Sequence, residues 1–239
     1  MERARKVYGR GFFITLGAII GLSLLLCIGP TPAFAQSGSG KVLMIPREGY
    51  SQDLDLMISM EVGVMTKLLN SAGYKVDIAT TSGSPIVGPT QRIEHVLRLA
   101  GVNVNEYAGV IMPCMAVGMF PGPPVAPEAV AVVKTALAAG KPVASSLGST
   151  IILAEGGALK KKKYAFIADP LKTTGTGQRD ARFTDGVYTG PGTTQDGQII
   201  TCGVCPYTER LYGWGLDPYD PENGTIKLTK TFIAAMGSR

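Results

Sequence analysis

A short apolar strand that runs through a turn of small residues directly into a helix is the feature that most constrains the fold of this chain. The unit covers residues 140–157, which read GKPVASSLGSTIILAEGG. In open α/β sheets a junction of this kind lies at the carboxyl end of a strand, where ligands bind and nucleophilic side chains are presented. The unit therefore predicts an α/β fold with a functional site at that end of the sheet.

Strands and helices alternate along the rest of the chain. Apolar runs predict strands at Val42–Ile45, Val76–Ala79, Tyr107–Met112, Tyr164–Ile167 and Gly197–Cys202. Helical signals predict helices at Asp53–Ala72, which Gly73 ends, and at Ile93–Leu99, Pro127–Ala139 and Thr225–Met236. Strands that alternate with helices form a mostly parallel sheet covered on both faces. We therefore expect a flavodoxin-like, three-layer α/β/α sandwich, built as one domain from residues 41–239.

The first 35 residues resemble an export signal in composition. Four basic residues lie within the first ten positions, and residues 11–29 are uncharged and largely apolar. Ala33-Phe34-Ala35 matches the small-x-small cleavage pattern, which predicts a mature chain that starts at Gln36, with 36–40 as a flexible lead. The expected location is periplasmic or secreted. The alternative is an uncleaved segment that anchors the chain, since the apolar run is nearly long enough to span a membrane.

The charge and the histidine count exclude two classes of function. The chain contains 23 Lys and Arg against 18 Asp and Glu, a net charge of +5. Residues 1–35 hold four of the basic and one of the acidic residues, so cleavage leaves 19 minus 17, or +2. A charge this small does not predict nucleic-acid binding. The chain has a single histidine, His95, which excludes a metal site built on several histidines. We expect His95 at the surface or packed against a helix. The sequence predicts no cofactor and no metal.

Glu61 lies in the middle of the apolar stripe of the first predicted helix. Its neighbours three, four and seven positions away are Leu54, Met57, Ile58, Val64, Met65 and Leu68. Residues at these spacings share one face of a helix, so the carboxyl group should be buried and its pKa raised. The alternative is a carboxylate that reaches solvent past the small neighbour Gly63.

The 140–157 unit, together with the helix before it and Ala158-Leu159-Lys160 after it, resembles the DJ-1/PfpI superfamily, whose fold is related to class I glutamine amidotransferases. In that family the turn reads roughly Ala-Ile-Cys-His-Gly-Pro, and the cysteine is the reactive group. An ungapped alignment places Leu147 at the cysteine position and Gly148 at the histidine position. The resemblance also implies that Glu61, twelve residues before Gly73, matches the family's protonated glutamate, which hydrogen-bonds the cysteine. The resemblance therefore implies a chain with the family's fold that lacks the family's nucleophilic cysteine.

A shift of the alignment by one residue is the alternative register. It places Ser146 at the nucleophile position and needs one deletion and one insertion. A serine there would need an activating base, and no Ser-His-Asp arrangement is visible. In either register Leu147, Gly148 and Ser149 line the pocket at the turn.

Cys114 should emerge at the carboxyl end of the Tyr107–Met112 strand, on the ligand side of the sheet. The resemblance implies that Cys114 and Met115 take the place of two glycines whose N–H groups help form an oxyanion pocket. The side chains of Cys114 and Met115 would narrow this oxyanion pocket. The alternative for Cys114 is a small buried hydrophobe. Arg47, just past the first strand, is a candidate for the rim of the same pocket.

Cys202 and Cys205 form a C-x-x-C motif after a predicted strand. In an exported protein this spacing suits a structural disulfide or a redox pair, while two idle thiols are the alternative. A zinc site would need Cys114 as a further ligand and is the weakest option.

The leading functional hypothesis is an exported DJ-1/PfpI-like protein that has lost the family's cysteine chemistry. It would bind a small molecule or a protein, or act as a stress-related accessory. One alternative is a hydrolase, deglycase or glyoxalase-like enzyme that uses Cys114 or Ser146 with Glu61. Another is a thiol-redox protein that uses Cys202 and Cys205. The resemblance also implies a homodimer as an option.

Overall fold

A computed structural model describes residues 40–48, 53–114, 125–172, 179–206, 208, 217, 219–222 and 224–237. At its centre lies a seven-stranded sheet in the order β10-β11-β7-β6-β1-β2-β5. In sequence order, these strands are β1 (Gly40–Met44), β2 (Tyr74–Thr80), β5 (Leu97–Arg98), β6 (Tyr107–Met112), β7 (Val143–Ser146), β10 (Thr193–Asp196) and β11 (Ile199–Cys202). Every neighbouring pair is parallel except β10 and β11. The predicted mostly parallel sheet is therefore confirmed.

The helices of the described residues are α1 (Leu54–Met57), α2 (Gly63–Ser71), α3 (Pro127–Ala138), α4 (Thr150–Glu155) and α5 (Gly224–Gly237). A π-helical segment, Ile58–Val62, joins α1 to α2. The predicted Asp53–Ala72 helix is thus one continuous helical run with a widened turn inside it. Gly73 follows at a φ of 88°, where a residue without Cβ avoids a steric penalty. No helix in the described part of the chain is long and apolar enough to cross a membrane.

Two apolar clusters, one on each face of the sheet, give the molecule its three layers. One cluster joins the sheet to α3 and α4, through residues such as Val133, Val143 and Ile152. The other joins it to α1, α2 and α5, through residues such as Met65, Ile111 and Phe232. Gly109 of β6 lets α5 approach closely, because a Cβ there would lie 2.8 Å from the Phe232 ring. The flavodoxin-like sandwich predicted from the alternation of elements is therefore confirmed.

The predicted helix at Ile93–Leu99 is wrong. Arg92–Ile93 forms β4, which pairs antiparallel with β3 (Ile86–Val87), and Leu97–Arg98 forms β5. β5 pairs parallel with Ala79 and Thr80 of β2, so the edge of the main sheet supplies its backbone partners. A 3-10 turn at Leu99–Gly101 follows. Tertiary pairing outweighs the weak helical preference of so short a segment.

Three further boundaries differ from the predictions. The strand expected at Tyr164–Ile167 is only β8 (Lys163–Tyr164), which pairs with β9 (Val187–Tyr188) in a separate two-stranded sheet. β10 was not predicted, because the polar residues of Thr193–Asp196 have no apolar signal. Gly40, assigned to the flexible lead, already belongs to β1. The predicted export signal and the rest of the lead lie outside the described residues.

Candidate functional site

The turn between β7 and α4 has the strained backbone of a nucleophile elbow. Ser146 ends β7 in an extended conformation at φ −98°, a 3-10 turn spans Leu147–Ser149, and α4 starts at Thr150. Leu147 has a φ of +40°, which is uncommon for a residue with a Cβ. A sharp strand-to-helix turn with a strained central residue is the geometry that presents nucleophiles in α/β folds. The strained position of this elbow is therefore Leu147, whose side chain is buried and apolar.

Glu61 lies in the π-helical segment and points to the end of β7. Its side chain is 2% exposed, which confirms the predicted burial. Ser146 donates from Oγ to Glu61 Oε1 at 2.8 Å. The N–H of Cys114 lies 3.2 Å from Oε1 and 3.3 Å from Oε2. The carboxyl group thus bridges the ends of β6 and β7, two neighbouring strands.

The pKa of Glu61 is raised to about 7. Burial is the main cause, because it removes water from the charged form. The hydrogen bonds from Ser146 and Cys114, and the positive charge of Arg47, act in the opposite direction but are weaker. Near neutral pH the group is therefore divided between its acid and carboxylate forms.

The π-helical segment and Tyr219 are two parts of the site that no local pattern in the sequence indicated. A π-helical turn holds one more residue than an α-turn and is frequently found at functional sites. The hydroxyl of Tyr219 donates to the carbonyl oxygen of Met60 within that turn, at 3.2 Å. Burial and the nearby charge of Glu61 raise the pKa of Tyr219. The segment before α5 thus reaches the helix that carries Glu61.

Cys114 lies beside the elbow. Its thiol packs against Leu147 and Cys205, and it is 7% exposed. A hydrogen bond with Cys205, together with burial, raises the pKa of Cys114 well above that of a free thiol, although the Gly148 N–H acts to lower it. At neutral pH the thiol is therefore protonated, and a protonated thiol is a poor nucleophile.

The serines around the elbow hold the turn together. Ser146 and Ser149 are fully buried. The Ser149 hydroxyl lies 2.9 Å from the carbonyl oxygen of Ser146 and 3.0 Å from that of Met112. The Ser146 hydroxyl is engaged with Glu61, and His95 is exposed on the segment between β4 and β5. No Ser-His-Asp arrangement is therefore present among the described residues.

Arg47 separates two cavities. Its Nη2 donates to Asp53 Oδ1 at 2.6 Å, and its side chain is 14% exposed. Its Nε is buried and has no hydrogen-bond partner among the residues that the structure describes. On one side Arg47 lines a small recess with Asp53, Cys114 and Glu61. It also lines a larger cavity.

The larger cavity has a volume of about 170 Å³ and lies next to the elbow. Its walls come from the end of β1 and the residues after it, the end of β2, the start of α3, and α4. The lining residues are mostly apolar: Ile45, Pro46, Arg47, Glu48, Thr80, Thr81, Leu99, Val125, Ala126, Ala129, Gly148, Ile151 and Ile152. The Glu48 carboxylate accepts bonds from Ser82 N and Oγ at 2.9 and 2.8 Å. Arg47 therefore gives the mostly apolar lining its positive charge.

Cys202 and Cys205 are free and buried in the structure. Cys202 packs with Ile200 and Val204, whereas Cys205 packs with Leu147 and Cys114. The two members of the motif thus have different neighbours, and a bond between them stays a prediction. Among the described residues no group of three His, Cys, Asp or Glu side chains is placed to hold a metal ion. Met115, the other predicted pocket residue, lies outside the described residues.

Comparison with known proteins places the fold. No protein-family model matches the sequence, and no curated protein matches it. Among solved structures, a ThiJ/PfpI domain protein from Brachyspira murdochii matches with a TM-score of 0.59 at 15% identity, over 84% of this chain and 99% of that chain. An isoprenoid biosynthesis protein with an amidotransferase-like domain from Ehrlichia chaffeensis gives 0.56 at 12% identity, over 83% and 100%. Drosophila melanogaster DJ-1beta gives 0.50 at 15% identity, over 82% and 98%. The chain therefore has the fold of the DJ-1/ThiJ/PfpI superfamily.

Proposed function

We propose that this protein is an exported small-molecule-binding module that uses the DJ-1/PfpI scaffold without a reactive group at the elbow. The observation that carries the proposal is the pairing of an apolar Leu147 at the strained position with a cavity of about 170 Å³ beside it. A site with this position in an α/β fold is where ligands bind. The scaffold thus keeps a place for a ligand while the residue that would react with it is missing.

The side chains around the elbow support binding over nucleophilic catalysis. Leu147 has no nucleophilic atom. The Cys114 thiol is held protonated by its neighbours, and the Ser146 hydroxyl is fully buried against Glu61. A hydrolase, deglycase or glyoxalase-like mechanism needs an accessible, activated nucleophile. Neither of the two candidates meets both conditions in this arrangement.

The cavity favours a small ligand with an apolar body and one hydrogen-bond acceptor. Cavities of about 150 Å³ lined by aliphatic side chains hold a molecule the size of benzene. Ile45, Leu99 and Ile151 give this cavity a comparable lining. The guanidinium of Arg47 gives this lining a positive charge, and guanidinium groups pair with carboxylates through charge-assisted hydrogen bonds. A carboxylate on the ligand would therefore be attracted to the Arg47 side of the cavity.

A binding titration tests this proposal. Benzoate, with its ring and its carboxylate, is the probe, and toluene is the matched probe that lacks the acceptor. We expect benzoate to perturb NMR signals of cavity residues and to bind about tenfold or more tightly than toluene, because only benzoate carries a charge opposite to that of Arg47. Equal affinities for the two probes would contradict the role of Arg47. If neither probe binds, the proposal that the cavity is a ligand site is wrong.

Variants locate the binding. Ala129→Leu fills the cavity from α3, since Ala129 is buried in its wall. Ala131→Leu adds the same atoms on the same helix at an exposed position and is the control. We expect Ala129→Leu to abolish benzoate binding and Ala131→Leu to leave it unchanged. Equal binding by both variants would place the ligand elsewhere.

Export is the second part of the proposal. The basic start, the apolar run and Ala33-Phe34-Ala35 support cleavage after Ala35. Protein recovered from its native host should begin at Gln36 on N-terminal sequencing. Recovery of a chain that begins at Met1 would contradict cleavage and leave the membrane-anchor alternative.

A further inference from the structure

The three buried thiols of the described residues are not equivalent. Cys202, in β11, packs with Ile200, Val204 and residues of α5, and its Sγ lies 3.5 Å from the Val204 carbonyl oxygen. Cys114 and Cys205 belong to a different cluster, where they pack with Leu147. The C-x-x-C spacing therefore joins two cysteines whose side chains occupy separate surroundings.

Cys114 and Cys205 pack in the same small buried cluster, together with Leu147. Cys114 follows β6, and Cys205 follows β11, so β7 lies between the two strands. Beyond the ends of the strands the chains converge over the elbow, where the two thiols belong to one small buried cluster with Leu147. Thiols that pack in one cluster can form a disulfide with smaller movements than cysteines that point apart, which need backbone movement.

We propose that Cys114 and Cys205 form the redox-active dithiol of this protein, and that Cys202 takes no part in it. The oxidant is a low-molecular-weight disulfide. The pairing is independent of ligand binding in the cavity and of the compartment in which the protein resides.

The exposure of the two thiols assigns their roles. Cys114 is 7% exposed and borders the small recess that Arg47, Asp53 and Pro206 line, whereas Cys205 is 0% exposed. Because the pKa of Cys114 is raised, only a small deprotonated fraction of this thiol reacts, so the exchange is slow at neutral pH and faster at alkaline pH. That fraction, whose proton has passed to water, attacks one sulfur of the external disulfide, which releases one small thiol and leaves a mixed disulfide on Cys114. Cys205 then loses its proton and attacks the Cys114 sulfur, which releases the second small thiol. The protein is oxidised by two electrons, and the external disulfide is reduced to two thiols.

The bond would connect two parts of the sheet that are distant in sequence. It would close a loop of about 90 residues, and a loop of this length stabilises the folded chain by restricting the unfolded one. We expect the oxidised protein to melt about 5–10 °C higher than the reduced protein. A bond across the four-residue C-x-x-C motif would give a much smaller shift, since it closes a very short loop.

Redox titration with mass spectrometry tests the pairing. The full chain is equilibrated in mixtures of reduced and oxidised glutathione, free thiols are blocked with N-ethylmaleimide, and the protein is digested. Fragment spectra of the cross-linked peptide then identify which cysteine is bonded to Cys114. We expect a Cys114–Cys205 bond, with Cys202 recovered in its alkylated form. A Cys202–Cys205 bond, or recovery of Cys114, Cys202 and Cys205 all in alkylated form from the most oxidising mixture, would overturn the proposal.

Single substitutions give an independent readout. Cys202→Ser is the matched control and should retain the bond and the higher melting temperature on oxidation. Cys114→Ser and Cys205→Ser should each abolish the disulfide bond and the rise in melting temperature on oxidation. If Cys205→Ser does not fold, Cys205→Ala removes the thiol without placing a hydroxyl in the apolar cluster. Loss of the bond in Cys202→Ser together with its persistence in Cys114→Ser would contradict the assignment.

Discussion

Polar groups have different surroundings at the amino and carboxyl ends of the central sheet. At the amino end, around the start of β1, Lys41 pairs with Asp77 at 3.2 Å, and the Tyr107 hydroxyl donates to the same carboxylate at 3.1 Å. Lys41 and Asp77 are partly exposed and their opposite charges meet directly, whereas Tyr107 is buried beside them. At the carboxyl end Glu61 is fully buried, and its hydrogen bonds come from an uncharged hydroxyl and a backbone N–H.

The difference has a thermodynamic consequence. Exposed ion pairs contribute little to stability because water screens them and competes for both partners. A buried carboxyl group with uncharged donors is costly to ionise, and its pKa moves toward neutrality. The Lys41–Asp77 pair at the amino end therefore resembles an ordinary surface ion pair. The carboxyl end instead combines a strained backbone at Leu147 with a carboxyl group whose pKa is near neutrality, as is typical of functional sites.

The largest effect should come from reversing the charge of Glu61. Glu61→Lys places an unpaired cation among Ser146, Cys114 and Leu147, and we expect a loss of about 3–5 kcal/mol in the free energy of unfolding. Urea denaturation measures it. Asp77→Asn at the amino end is the control and should cost about 1 kcal/mol or less, because its ion pair with Lys41 reaches solvent. Equal losses of unfolding free energy in Glu61→Lys and Asp77→Asn would contradict the difference between the two ends of the sheet.

The pH dependence of stability should be the next largest effect. The pKa of Glu61 is about 7 in the folded protein and lies near 4.5 when the chain unfolds, so the folded state binds more protons between these values. Its contribution is complete below pH 4.5 and decreases as the pH rises through 7, by about 3 kcal/mol in total.

Glu61→Gln provides the comparison for that experiment. The amide does not titrate, so the difference in unfolding free energy between the parent and Glu61→Gln should shift in favour of the variant from pH 5 to pH 8. Denaturant titrations at intervals of one pH unit measure it. A difference that does not change with pH would show that Glu61 is not buried with a raised pKa.

A smaller effect is expected at Tyr219. Tyr219→Phe removes the hydrogen bond to the Met60 carbonyl oxygen in the π-helical turn, and we expect a loss of about 1 kcal/mol. Tyr107→Phe is the matched change at the amino end, where Asp77 keeps Lys41 as a partner. It should therefore cost less than Tyr219→Phe. The reverse order, measured by thermal or urea unfolding, would mean that Tyr219 does not support the site.

The last prediction concerns catalytic turnover, where we expect no effect at all. Methylglyoxal and peptide substrates should give no signal above that of heat-inactivated protein, because the elbow carries Leu147 instead of a nucleophile. Turnover that disappears in Cys114→Ser would instead assign catalysis to the relocated thiol. Turnover that disappears in Ser146→Ala would assign it to the serine.

The sequence alone determined the layers of the fold and part of the site. Strand and helix periods are local properties, so apolar runs such as Val42–Ile45 and the stripe around Glu61 identified both the sheet and a buried carboxyl group. The strand–turn–helix unit at 140–157 identified the elbow for the same reason. Each of these inferences depends on residues less than 20 positions apart in the chain.

Tertiary structure alone decided which distant residues meet. Tyr219 reaches Met60, Cys114 contacts Cys205, and Leu97–Arg98 extends the edge of β2 in place of a helix. The C-x-x-C motif predicted a partnership by proximity in sequence, yet its two side chains have different surroundings. Periodicity specifies which face of an element is buried. Partners across the sheet depend instead on strand order and on where each chain turns beyond its strand, and no local pattern encodes these.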